Sequence, residues 1–393
     1  MQQLVRGAAL ALSLVGGMLT PAVPAWAQDA FRIAGVLPLS GAFGIIGENM
    51  RRGVTIAIEE RNGRVLGKPI EVSWDDTETS TQVAVQKTTR ALSREVHTVF
   101  GEVSSGSTMA MMKLTEQRKI PQLITLSADD RITGSDKSRY AFRTSNTVAM
   151  ENRMIGEFAQ RQGAKKLYAI VADYQVGRDM WAALRTDFES RGIQVVGMDL
   201  AAIGTKDYAV LLDKALRSGA DSLMLLVVGG DVVTSLKQGA DVGLAQKMRV
   251  MGTMLMDETL GLAVGPAGSV GVNSTLRYHH TQDTPRNKRF VEAYKAKYKE
   301  LPSQYAGEAY DGMSWWLDTV ESTGVWDKEK WVDAFRTSVR KDSVEGEKRM
   351  RSCDNQAEQP GLFGVAERAG GDGPIVMKVT ERFGAASLFK PCS

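Results

Sequence analysis

The stretch FGEVSSGSTMAM, residues 100–111, holds the residues with the clearest chemical potential in this chain. From Gly101 it runs Gly-x-x-x-x-Gly-Ser-Thr, one residue away from the phosphate-cradling loop in which lysine neutralises a nucleotide's outer phosphates. Ser107 stands where that lysine is needed, which argues against a nucleotide. A catalytic serine turn would need Gly-x-Ser-x-Gly and a histidine base, yet two residues separate Gly101 from Ser104. The histidines are His97, His279 and His280. His97 precedes the loop on its feeding strand and reads as a surface or half-buried residue. His279 and His280 are adjacent on a strand-like run, so alternation sends them to opposite faces and keeps them off one ligand. Metal spacing is absent, and no metal or cofactor is expected. What remains is anion binding. A helix that opens at the serines offers unpaired N–H groups and a partial positive charge, which suits a small carboxylate. Simple capping of that helix by Ser104 and Ser105 is the bland alternative.

Short β-branched runs alternate with helical periodicity around this loop. Strands are expected at 31–37, 70–74, 96–100 and 122–126, and helices at 48–62, 81–95 and 107–118. The pattern then restarts, because FRIAGVLPLSGAFGIIGENMRRGVTIAIEERNGR is echoed by KKLYAIVADYQVGRDMWAALRTDFESRGIQ. Further strands at 222–228 and 249–254, with helices at 206–218 and 232–239, extend the second unit. Past residue 277 three helices, 285–299, 304–323 and 328–339, follow without strands between them, so the chain is expected to cross back and complete the first unit. The implied fold class is α/β: two Rossmann-like lobes with parallel sheets, joined by several crossings that make a hinge over a cleft. The expected division is 28–147 plus 279–345 for lobe 1 and 148–278 plus 346–393 for lobe 2.

The first 27 residues read as a cleavable export signal: Arg6, an apolar run over 8–19, two prolines, then Ala25-Trp26-Ala27. Export would place the protein in the periplasm, where Cys353 and Cys392 are expected to pair and contribute about 3–4 kcal/mol. With Lys and Arg at 49 against 46 Asp and Glu there is no basic stripe, and nucleic acid is excluded as a partner.

The order and spacing of IAGVLPLSGAFGIIGENMRRGVTIAIEERNG, GEVSSGST, IPQLITLSADD, YAFRTSN, VADYQVGRDM, LLVVGGD and YAGEAYDGMSWWLDTV resemble the type I periplasmic solute-binding proteins, in particular the leucine/isoleucine/valine-binding group of ABC transporters. The resemblance implies a non-catalytic receptor. It would be a monomer that closes around a small-molecule ligand and delivers it to an inner-membrane ABC permease. It also implies site residues: Ser104, Ser105, Ser127, Ala128 and Asp129 for the ligand's carboxylate and amino groups, Tyr174 and Asp257 from the second lobe, and Phe43 and Tyr305 as walls of the side-chain pocket. Tyr174 as a turn residue and Asp257 as a helix cap are the plain alternatives. The chain departs from the family at Asp129 and Asp130, where small or hydroxyl-bearing residues are more usual. If these carboxylates face the ligand they favour an amine or cation and disfavour a second anion. If they point to solvent, an aromatic or other carboxylate fits beside Phe43, Ile45 and Ile46. A sensory role for the same fold is a further alternative.

Overall fold

The computed structural model describes residues 30–389. The expected leader and Cys392 lie outside the described residues, and with Cys392 lies one half of the expected cysteine pair.

The first sheet takes β1 (Phe31–Leu37), β2 (Arg64–Val65), β3 (Lys68–Asp76), β4 (Thr98–Phe100), β5 (Gln122–Ile124) and β6 (Ala141–Arg143), ordered β2-β3-β1-β4-β5-β6. All pairings are parallel except the β2–β3 hairpin. The second sheet begins with β7 (Lys166–Ala172), β8 (Gln194–Ala201), β9 (Ser222–Leu226), β10 (Arg249–Thr253) and β11 (Asn273–Leu276). Three short strands follow, β12 (Val339–Arg340), β13 (Lys348–Met350) and β14 (Ala357–Glu358), as a separate antiparallel sheet. Finally β15 (Gly361–Arg368) and β16 (Ile375–Phe383) add antiparallel strands beside β11. The second order is β16-β15-β11-β10-β9-β7-β8. The fold is thus the two-lobed α/β arrangement that alternation predicts.

In both sheets the first parallel strand sits between neighbours reached in opposite directions, β1 between β3 and β4 and β7 between β8 and β9. Loops leaving the carboxyl ends of strands at such a reversal point diverge and leave a crevice. The loops that carry Phe43 and Ser104 leave β1 and β4, and those that carry Tyr174 and Gly229 leave β7 and β9.

The helices after β11 pack on the first sheet. Gln304–Thr323 is buried on nearly every side, with Trp315, Trp316 and Leu317 enclosed together with the polar Glu308 and Asp311. It lies so close to helix Gly44–Glu59 that a Cβ on Gly53 would stand 2.1 Å from the Ala306 carbonyl oxygen. The small sheet belongs to the same core through Met350 and Ala357, and Arg143 bridges to Gln356. The final return to the second sheet therefore comes after β14, about a dozen residues later than residue 346; short strand signals alone do not say which sheet they join. Three crossings link the lobes, at 144–147, 277–284 and 359–360. Polar groups tie the first crossing to the small sheet, Gln356 Nε2 donating to the Ser145 carbonyl at 2.8 Å. Among the described residues no helix is long and apolar enough to cross a membrane.

Candidate functional site

Helix Ser105–Arg118 starts two residues earlier than its periodicity suggests, which makes Ser104 the N-cap and Ser105 the first helical residue. The Ser104 side chain makes no capping hydrogen bond, so capping does not account for it. Ser105 Oγ accepts from Asp129 N at 3.3 Å, joining the serine loop to the turn after β5. Behind the loop lies Glu102, fully buried. Its carboxyl oxygens accept from Ser104 N and Thr77 Oγ1, each at 2.7 Å. Burial pushes the Glu102 carboxyl up to about 7, against the pull of those donors.

A cavity of ≈ 250 Å³ lies between the lobes at this point. Ser104, Ser105 and Ala128 line it from the first lobe, Tyr174 from the second, and Phe43 and Tyr305 form part of its apolar wall. Ile46, Val228 and Met254 complete that wall, whereas Ile45 is 51% exposed and does not line it. The Phe43 loop is held by Asp76, whose Oδ1 accepts from Leu39 N at 2.8 Å and whose Oδ2 accepts from Ser40 Oγ at 2.6 Å.

Three residues expected at the site are not on the cavity wall. Ser127 turns its hydroxyl inward to donate to the Glu102 carbonyl at 2.6 Å, serving the loop rather than a guest. Asp129 is engaged by Arg131, with Nη2–Oδ2 at 2.5 Å, and burial, which would raise its carboxyl, is outweighed by that guanidinium so that it lies below its ordinary value. Its neighbour Asp130 is exposed. Asp257 caps helix Glu258–Val264 by accepting from Leu260 N at 2.9 Å, and burial pushes its carboxyl up to about 6. Capping was the plain alternative for that residue, and it is the geometry found.

Glu151 and Arg277, which sequence reasoning missed, also line the cavity. Each is 1% exposed, and Arg277 Nε donates to Glu151 Oε1 at 2.6 Å. Arg277 Nη1 also donates to the Leu126 carbonyl in the first lobe, while buried Nη2 has no hydrogen-bond partner among the described residues. One signal was available: a lone arginine directly after a strand in a segment expected to cross between lobes.

The lobes touch at Gly229, which has φ +59°. A Cβ there would lie 2.7 Å from the Ala42 carbonyl oxygen of the opposite lobe. Gly229→Ala is therefore expected to hold the lobes apart, to weaken ligand affinity about tenfold or more, and to lower the melting temperature because alanine is strained at that φ. Calorimetric titration beside a melting curve checks this.

Three further residues differ from expectation. His97 is buried, its Nδ1 accepting from Arg32 N at 2.9 Å, and it stacks on Phe31. His279 and His280 do not face opposite ways: their ring centroids are 4.4 Å apart. They follow the last residue of β11, so strand alternation no longer governs them.

The sequence model for a periplasmic binding protein matches residues 30–372. The chain belongs to the periplasmic binding protein family. Among curated proteins it is similar to the Leu/Ile/Val-binding protein homolog 6 of Brucella melitensis, 28% identical over 309 residues, covering 75% of this chain and 77% of that one. It is likewise similar to the leucine-, isoleucine-, valine-, threonine- and alanine-binding protein of Pseudomonas aeruginosa, 28% identical over 317 residues, covering 80% and 84%. A solved structure with the same fold is the solute-binding protein of an ABC transporter from Rhodopseudomonas palustris in complex with 3,4-dihydroxybenzoic acid. That pair superposes with a TM-score of 0.85 at 24% identity, over 91% of this chain and 98% of that one.

Proposed function

We propose that the chain is the periplasmic capture component of an ABC transporter, closing on a hydrophobic amino acid and presenting it to an inner-membrane permease. The observation that carries this is the cavity between the two reversal points. Its wall is apolar, with serine hydroxyls at a helix N-terminus on one part and the Glu151–Arg277 pair on another. The ligand carboxylate rests on Ser104, Ser105 and the free amides at the start of their helix, its ammonium faces Glu151, and its side chain lies against Phe43, Ile46 and Tyr305. Each buried charge then meets an opposite charge or several donors, as desolvation requires. The curated relatives named for branched-chain amino acids support the choice. The chain acts as a binding protein and not an enzyme, so the ligand is recovered unchanged.

A second reading, an aromatic or other carboxylate without an amine, is favoured by one observation. The carboxylates of Asp129, Asp130 and Asp257 do not line the cavity, and that of Glu151 is already engaged by Arg277. Calorimetry with leucine, isoleucine, valine and phenylalanine against benzoate and 4-hydroxybenzoate separates the two. Micromolar or tighter binding of an amino acid is the expected result; binding confined to the benzoates selects the second reading, and no binding in either set overturns both. Ser105→Ala is expected to weaken the bound ligand about 10- to 100-fold, the worth of one hydrogen bond to a charged group.

Glu102 makes binding depend on pH. Its folded value lies above the ordinary glutamate value of 4.5, at about 7, so the folded chain holds a proton there that the unfolded chain has lost. The stability it lends is complete below the ordinary value and is lost as pH rises through about 7. Once ionised it also repels a carboxylate on the same loop. Affinity is therefore expected to fall by several-fold between about pH 6 and pH 8, and Glu102→Gln to flatten the profile. Titrations at both pH values check it.

A further inference from the structure

The second place where this chain gathers reactive side chains lies outside the cavity. Glu258 opens the short helix Glu258–Val264 in the second lobe, and His279 and His280 lie on the crossing 277–284. Among the described residues this is the one group of three His, Cys, Asp or Glu side chains whose donor atoms all lie within 4.8 Å of one another. His279 Nε2 is 2.9 Å and His280 Nδ1 is 3.5 Å from Glu258 Oε1. A tetrahedral ion with ligand bonds of about 2.1 Å separates its donors by about 3.4 Å, a spacing that these distances bracket.

We propose that Glu258, His279 and His280 form a binding site for a divalent transition metal, Zn²⁺ foremost. Two imidazoles and one carboxylate are a borderline donor set that suits Zn²⁺ and its neighbours better than Mg²⁺ or Ca²⁺, which take oxygen. The surroundings already orient the donors. His279 Nδ1 lies 2.6 Å from Thr281 Oγ1, so the Nδ1–H tautomer that coordination at Nε2 requires has its acceptor in place. Glu258 Oε1 accepts from Met377 N at 3.1 Å, which fixes the carboxylate. His280 Nδ1 is buried without a hydrogen-bond partner among the described residues, a cost that coordination removes. In the metal-free chain His279 Nε2–H donates to Glu258 Oε1 at 2.9 Å and Nδ1 accepts from Thr281 N at 3.4 Å. Coordination takes the other tautomer, Nε2 losing its proton to solvent as Nδ1 gains one, so the imidazole stays neutral and no net proton is released. A fourth position opens toward the hollow lined by Thr281, Val376 and Lys378. The cations beside it are already engaged: Lys378 Nζ lies 3.6 Å from Glu367 Oε2, and Arg382 Nη1 donates to Gln282 Oε1 at 2.6 Å.

The ion would fasten the crossing to the second lobe two residues beyond Arg277, which lines the ligand cavity. The test uses the full chain without a histidine tag and Co²⁺ as a visible probe. One equivalent is expected to bind with the absorption of a low-symmetry site and to be displaced by Zn²⁺. His280→Gln, which removes a donor that carries no structural hydrogen bond, is expected to weaken Co²⁺ binding at least about tenfold while the metal-free melting temperature holds. Glu258→Gln should do the same, although its bond to Met377 makes it the less clean variant. Absence of Co²⁺ absorption in the native chain overturns the proposal, as does Co²⁺ binding of undiminished strength in a folded His280→Gln protein.

Discussion

Arg277→Met is expected to lower the free energy of unfolding by about 3–5 kcal/mol, the cost of leaving a buried charge without its partner. Glu151 and Arg277 are each 1% exposed, so water screens neither, and the Nε–Oε1 contact of 2.6 Å is the arginine's bond to the second lobe. The same guanidinium reaches the Leu126 carbonyl of the first lobe. Methionine fills much of the arginine's volume without a charge, so packing loss is small and the deficit belongs mainly to Glu151. The double variant Arg277→Met, Glu151→Gln removes both charges and is expected to recover about half or more of the loss. Urea unfolding of the three proteins decides the matter. A single-variant cost below about 1 kcal/mol would mean that water reaches Glu151 and that the pair is not a structural tie.

The lobes and the serine loop were legible because each rests on local signals: period-2 strands, helical periodicity, and a helix start marked by serines. The helix start marked Ser104 and Ser105, whereas Ala128, Tyr174, Phe43 and Tyr305 were implied by the family resemblance; all six line the cavity. Local signals fail at Asp129 and Asp257, where an acidic residue just before a helix satisfies either a ligand or its own backbone. Local amides win in both cases, Asp129 accepting from Arg131 N and Asp257 from Leu260 N. They fail again at Glu151 and Arg277, which lie far apart in the chain and meet only because two crossings run side by side. The misreading of His279 and His280 has a different cause. Alternation belongs to a hydrogen-bonded ladder, and these residues lie just beyond its end. Where the chain changes lobes, periodicity stops informing, and the residues found there, Arg277, His279 and His280, carry much of the chemistry.

Lys348→Met should be at least as damaging, for a reason set by the central helix Gln304–Thr323. Being enclosed on nearly all sides, this helix carries Glu308 and Asp311 into the core, where neither carboxyl can reach water. Lys348 Nζ lies 3.0 Å from Asp311 Oδ2, 2.7 Å from Glu345 Oε2 and 3.9 Å from Glu308 Oε1, and Arg340 Nε supports Asp311 at 3.0 Å. Three carboxyls thus share two cations, and the groups divide accordingly. Burial alone would raise Asp311, but Lys348 and Arg340 hold it down at about 2. Glu308 has no hydrogen-bond partner on either oxygen among the described residues, and burial drives it well above its ordinary value, with Lys348 only partly opposing. Removing Lys348 leaves Asp311 with Arg340 alone and Glu345 with no cation, so a loss of about 3–5 kcal/mol is expected. The sign of the pH effect follows from Glu308. Because its folded value is raised, the stability it lends is complete below its ordinary value of 4.5 and is lost as pH rises above it. Glu308→Gln keeps the shape and cannot ionise, so it is expected to unfold at higher urea than the native chain at about pH 8, by about 1 kcal/mol or more, and to differ little at about pH 5. Parallel urea curves at the two pH values measure this. An advantage for Glu308→Gln at low pH instead of high would show that Lys348 keeps Glu308 ionised and that the sharing of charge runs the other way.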